Sequence, residues 1–211
     1  MRFLLIAILV AGQTGGGKFS PARALKTFLP ISQPALAVGG GEVLVELVVD
    51  EQGVVRDVQT LRATPPFTQL VVDAVRSWNF APATIANPNE KPRATESSVL
   101  VAGVFRPPAI YNQPGLGEVP KNIKKPSDRV PFPTQIIVPA YPLQALFDGI
   151  VLVELAVTPN GSVSEAKIIG AGSGFEQVSL EAVRAWRFTP TKTPSYAYVI
   201  FGFRQPVIVN P

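Results

Sequence analysis

Two stretches of the chain alternate with a period of two. Val43, Val45, Leu47 and Val49 fall on one side, and Leu44, Glu46 and Val48 on the other. Val151, Val153, Leu155 and Val157 repeat the pattern further on. Such alternation marks a strand with one face on a core. A turn follows each, Asp50-Glu51-Gln52-Gly53 and Thr158-Pro159-Asn160-Gly161, with glycine where a tight hairpin needs a positive φ. A second strand is predicted over about 54–61 and 163–169. The period then changes to that of an amphipathic helix: Phe67, Leu70, Val71, Ala74, Val75 and Trp78 in the first case, and Phe175, Val178, Ala182, Val183 and Trp186 in the second. Pro82 and Pro190 follow the helices, since the residue before a proline disfavours helix. Last strands are predicted over about 98–105 and 196–203.

The two halves are copies. At an offset of 108, Val43-Leu44-Val45-Glu46-Leu47 lies on Val151-Leu152-Val153-Glu154-Leu155, and Ala74-Val75-Arg76, Trp78, Phe80 and Pro82 lie on Ala182-Val183-Arg184, Trp186, Phe188 and Pro190. The last strands align at an offset of 98, with Phe105-Arg106 on Phe203-Arg204, so the first copy has ten extra residues, read as a loop insertion within Thr84 to Ala94. A repeat of this length is one supersecondary unit used twice. The fold class is therefore α+β. Two tandem small domains, 30–106 and 138–211, are each predicted as a three-stranded antiparallel sheet with one main helix, in the order strand, strand, helix, strand. Between them, 107–137 is rich in proline and reads as an extended connector.

Charge and composition narrow the chemistry. The chain has no Cys and no His, which removes disulfides, thiolate nucleophiles, imidazole bases and the commonest metal ligands. No metal, cofactor or catalytic residue is expected, and the chain reads as no enzyme. The net charge of +4 is scattered, so nucleic acid is not expected as a partner. Arg2 precedes an apolar run from Phe3 to Ala11, followed by small residues, the layout of a secretory signal peptide within 1–17, with a cut after Gly12. The run is about half the roughly 20 residues that a membrane span requires.

The second copy carries a resemblance. Tyr141-Pro142, Ala145, Gly149, the alternating strand, Asn160-Gly161 and then Ala182-Val183-Arg184-Ala185-Trp186-Arg187-Phe188-Thr189-Pro190 resemble the C-terminal domain of TonB-family energy transducers. The first copy resembles it more loosely, with Gln33 for the family's Tyr and Asn79 for its Arg. The resemblance implies three antiparallel strands with helices on one face, and a short leading helix at about 142–147. It also implies a periplasmic setting and a sheet edge that pairs with a segment of an outer-membrane receptor, which is strand addition. The chain departs from a transducer in lacking a spanning run and in placing its proline-rich stretch between the units.

Several residues have a plain structural reading. Trp78 and Trp186 belong to the cores, and Arg76 and Arg184 serve helix C-termini. Glu46 and Glu154 read as a solvated sheet face. Gly39-Gly40-Gly41 precedes a strand, so it is not a phosphate loop. The last strand of the second unit is unusually aromatic, and its alternation cannot place every aromatic ring on a single core face. Tyr196, Tyr198, Val199, Ile200, Phe201 and Phe203 are therefore the expected partner-binding residues. Three functions stay open: a periplasmic protein that binds a protein partner by strand addition; a TonB-type transducer or accessory in outer-membrane transport, associated with the inner membrane and facing the periplasm; and a structural tandem whose sheet edges are buried between the units.

Overall fold

The computed structural model describes residues 17–30, 33, 34, 37, 39–107, 114–117, 130–142, 145, 147–171 and 174–206. The expected signal peptide lies almost wholly outside them, and so does most of the connector. In the first unit the elements are β1 (Lys18–Ser20), β2 (Arg23–Lys26), β3 (Gly41–Val49), β4 (Val55–Arg62), α1 (Phe67–Arg76), β5 (Asn79–Ala81), β6 (Ala83–Ala86), β7 (Arg93–Thr95) and β8 (Ser97–Phe105). Then come β9 (Gly115–Leu116), β10 (Pro133–Gln135), β11 (Ile137–Val138), β12 (Gly149–Val157), β13 (Val163–Ala171), α2 (Glu176–Arg184), β14 (Arg187–Phe188) and β15 (Ser195–Phe203).

The strands and helices fall where the periodicities predict them. The hairpin glycines have φ of +82° at Gly53 and +84° at Gly161. Each also lies close under a carbonyl: a Cβ there would come within 1.8 Å of the Phe80 oxygen or 2.0 Å of the Phe188 oxygen. Glycine is thus required twice over, by its backbone angle and by the close approach of the strand after the helix. The ten extra residues are not a loop but the hairpin β6–β7, on which β1 pairs as a third strand.

The sheet differs from expectation. Instead of two separate three-stranded sheets there is one six-stranded sheet in the order β13-β12-β15-β8-β3-β4. Within each unit the pairing is antiparallel, but the two last strands meet side by side in parallel, from Ala197↔Leu100 to Gly202↔Phe105. This pairing runs at an offset of 97, one residue short of the repeat's 98. A one-residue slip on a strand turns every side chain to the other face. The repeated units therefore face opposite ways, and α1 and α2 lie on opposite faces of the common sheet.

Each core is accordingly built from both units. On the α1 face, Phe67, Val71, Val75 and Trp78 pack with Val43, Val45 and Leu47 of their own unit and with Leu152, Tyr198 and Ile200 of the other. On the α2 face, Phe175, Val183 and Trp186 pack with Val151, Val153 and Phe201, and with Leu44, Leu100 and Val104. Phe67 stacks on Phe105 at 4.3 Å, and Phe175 on Phe203 at 4.4 Å, as repeat-related pairs. Burying a side chain of this size contributes about 1.5–3 kcal/mol.

The repeat also extends upstream of where the sequence comparison begins. β2 pairs with β5 and β10 pairs with β14, just after each helix. The Trp78 indole donates to the Phe28 carbonyl at 2.9 Å, and the Trp186 indole donates to the Ile137 carbonyl at 3.0 Å. Both indoles are core residues, as expected, and each braces the strand segment that precedes its unit. The end of the presumed connector, from Val130 onward, thus packs as part of the second unit. Half of the expected short helix lies outside the described residues; of the rest, the Ala145 amide donates to the Pro142 carbonyl at 3.0 Å.

Three outcomes follow. Ile200→Pro removes an amide from a strand paired on both sides, so it should cost about 3 kcal/mol or more. Because the cores are shared, Trp78 and Trp186 should report one coincident unfolding transition, measured by denaturant titration of single-Trp variants. The third concerns the hairpins. The Asp50 carboxylate accepts from the amides of Gln52 at 3.0 Å and Val54 at 2.9 Å, and these bonds hold its pKa below the ordinary value, the Val54 bond most. Its contribution is complete above the ordinary carboxylate range near about pH 4 and is lost as pH falls through its own lower value. In the second hairpin a single amide, that of Ser162, donates to the Thr158 hydroxyl at 3.2 Å and to Asn160 Oδ1 at 3.1 Å, with no carboxylate. Amide exchange in acid should therefore quicken at Gln52 and Val54 before it does at Ser162.

Candidate functional site

The residues expected to bind a partner stand on β15, and the structure corrects the expectation of an open edge there. β15 is laddered along its whole length to β12 and, from Ala197, to β8. From Ala197 to Gly202 no added strand can pair with it, because both of its sides are already bonded. The aromatic excess has a different cause. Tyr198 and Ile200 face the α1 core, while Val199, Phe201 and Phe203 face the α2 core, all of them buried. A central strand with a core on each face needs large apolar residues at every position. Only Tyr196 is half exposed.

Glu154 is corrected as well. It is 5% exposed, not solvated, because the segment around β2 lies across the back of the second unit. Arg23 grips it with both ends of the guanidinium fork, Nη2 to Oε1 at 2.7 Å and Nε to Oε2 at 3.1 Å. The Tyr198 hydroxyl donates to Glu154 Oε2 at 3.3 Å and accepts from the Ala24 amide at 2.7 Å. The Arg23 guanidinium also sits 5.1 Å over the Tyr196 ring. Its pKa is raised by the Glu154 hydrogen bond and charge. Burial, more than any neighbour, pushes the Tyr198 hydroxyl well above the ordinary tyrosine range. Glu46, the repeat partner of Glu154, is buried to the same extent. Neither carboxylate is a solvated surface group.

Two kinds of surface remain for a partner. The first is the pair of outer edges, β4 and β13, which end the sheet. Both are bulged at two places, and both carry charges, Arg56, Asp57 and Arg62 on β4 and Glu165 and Lys167 on β13. Bulges and charges limit how long a strand can pair there. The second is a cleft of about 470 Å³ at the start of the seam between β8 and β15, walled by Phe19, Ile85, Ser97 and Tyr196. Its size is that of a small-ligand or short-peptide site.

Among the described residues, no cluster of three or more acidic side chains could hold a metal, and no helix is long and apolar enough to cross a membrane.

Residues 138–204 match the model of the family described as Gram-negative bacterial TonB protein C-terminal. Over these residues the second unit is similar to a TonB C-terminal domain. The match opens at Val138, one residue after the Ile137 carbonyl that anchors Trp186, and closes one residue beyond β15. TonB C-terminal domains form a non-enzymatic family of the cell envelope, associated with transport and with protein partners such as outer-membrane receptors. No curated protein matches the chain.

Sequence reasoning missed Arg23, Phe19 and the seam serines. Arg23 had no repeat equivalent to draw attention to it. The available signal was Tyr198, which stands where the first unit has Leu100: a hydroxyl placed in a core requires a polar partner. The Arg23 clamp can be tested directly. Arg23→Ala leaves a buried carboxylate uncompensated and should cost about 1–3 kcal/mol, below the 3–5 of a fully buried pair because Arg23 is half exposed. Chemical denaturation measures the loss. In the wild type, ultraviolet titration should show the Tyr198 hydroxyl staying protonated well above the ordinary range, and Tyr198→Phe should remove that signal.

Proposed function

We propose that the protein is a non-enzymatic periplasmic adaptor that recruits an extended segment of an envelope protein by strand addition at an outer edge of its six-stranded sheet. Its place is as an accessory in transport across the outer membrane, and export by a signal peptide at 1–17 belongs to the same proposal. The observation that carries it is the sheet order: with β8 and β15 spent on each other, β13 and β4 are the strands that end the sheet. β13 is favoured because it lies within the residues that match the TonB C-terminal family and spans nine residues. Between its bulges, Glu165 to Ile168 pair regularly with Ala156 to Val153, a stretch suited to a short motif. On β4, Arg56 and Arg62 are instead engaged with Asp50 at 3.3 Å and Glu42 at 3.0 Å.

A structural reading has its own support, since the parallel pairing of β8 with β15 closes one edge of each unit. Under that reading the tandem is a stiff spacer with no partner strand. The two readings separate on the β13 edge. Neighbouring amides on a strand point to opposite sides, so of Ala166→Pro and Lys167→Pro one removes only an outward donor and should stay folded. Affinity capture from outer-membrane extract should recover partners with wild type and lose them with that folded variant. Unchanged recovery would reject strand addition at β13 in favour of the structural reading.

A further inference from the structure

The two last strands do not stay together to their beginnings. Their parallel ladder starts at Ala197↔Leu100. Before it, Ser97 and Ser98 remain paired with Val49 and Val48 on the β3 side, and Ser195 remains paired with Val157 on the β12 side. On the sides that face the seam these residues have no ladder partner. The strands diverge, and the cleft of about 470 Å³ occupies the fork.

The lining is drawn mostly from the α1 side, where Phe19, Ala22, Val99 and Tyr196 belong to that core, while Ser98 and Ser195 are positions that alternate to the α2 side. Ser97 adds an unmet polar demand. It is 7% exposed, and its hydroxyl has no hydrogen-bond partner.

We infer that the seam fork binds the end of an extended peptide, inserted as a short strand between β8 and β15. Main-chain groups of the peptide complete the ladders that stop at Ala197 and Leu100. At about 3.3 Å per residue, the fork takes two or three residues. The peptide side chain on the α1 side meets Phe19, Ile85 and Tyr196 and is therefore apolar. On the other side, Ser98 and Ser195 favour a small or hydroxylated residue. Lys192 and Glu96, both exposed at the fork, leave it without a strong charge preference. The ligand class is thus an uncharged segment that alternates apolar and hydroxyl residues, and it is held chiefly through its backbone. This site is separate from the β13 edge and does not depend on it.

The probe is a fluorescein-labelled Val-Thr-Val-Thr-Val-Thr peptide, with the full-length protein. Its N-methylated form, with alternate amides blocked, is the comparison. Anisotropy should show saturable binding that falls at least tenfold with the N-methylated peptide. It should fall at least tenfold with Ser98→Phe, which fills the half-exposed part of the fork. Circular dichroism and the unfolding midpoint show that this variant is folded; if it is not, Thr193→Tyr, on the loop before β15, replaces it. Amide exchange should slow at Ser97, Ser98 and Ser195 on adding peptide. The folded β13 proline variant should bind the peptide as wild type does. Absence of binding, equal binding of the N-methylated peptide, or equal binding by a folded filled-fork variant overturns the inference. Loss of binding in the β13 variant alone overturns it too and moves the peptide to the outer edge.

Discussion

The pairing of β8 with β15 governs the rest of the molecule. Two copies of a small unit can join their sheets in more than one way. Here they join in parallel and one residue out of step with the repeat. That single step places the helices on opposite faces. It also makes each unit's apolar back the floor of its neighbour's core. A three-stranded sheet with one helix buries only one face, and such a unit leaves residues such as Leu44 and Leu152 in water. In the joined sheet both are fully covered. The apolar character of the seam strands on both faces is the sequence trace of this arrangement.

The polar features follow from the same geometry. Once the back of the second unit is covered, the carboxylate of Glu154 is taken out of water and needs a counter-charge. Arg23 supplies it from a segment more than a hundred residues away in sequence. Tyr198 completes the cluster by holding both the carboxylate and the backbone of that segment. A buried ion pair adds little net stability compared with apolar packing, but it selects among arrangements, because every other placement of the segment leaves a charge unmatched. The cluster therefore fixes where the chain before the first unit crosses the sheet.

The local elements were legible from periodicity alone. The alternation at 43–49 and 151–157, the glycines at the turns and the helical stripes that end at Trp78 and Trp186 each encode structure within about ten residues. The joining of the units was not legible, because it depends on a register between strands about a hundred residues apart, and no short-range pattern records that. The evidence was present in another form: on β15, Tyr198 and Ile200 alternate with Val199, Phe201 and Phe203, so neither face is polar. Read as a half-buried strand, this implied a sticky edge; read as a strand buried on both faces, it implies a central position. The same assumption exposed Glu46 and Glu154. The ten-residue insertion reads as a loop in the sequence because hairpins as short as β6–β7 carry too few residues for their alternation to stand out.

The indole braces have a consequence for how the unit is delimited. Trp186 is anchored on Ile137, and β14 is paired with β10, yet the matched family region begins at Val138. A fragment cut to that region would lose the brace and the strand under it, as well as the neighbour that covers its back. The smallest piece of this chain in which both faces of the sheet are covered is the pair. In symmetry terms the pair is an isologous dimer with its axis along the seam, written as one polypeptide. Because the halves are covalently joined and no longer identical, each outer edge and each end of the axis is free to diverge. A true dimer would have to accept every substitution twice.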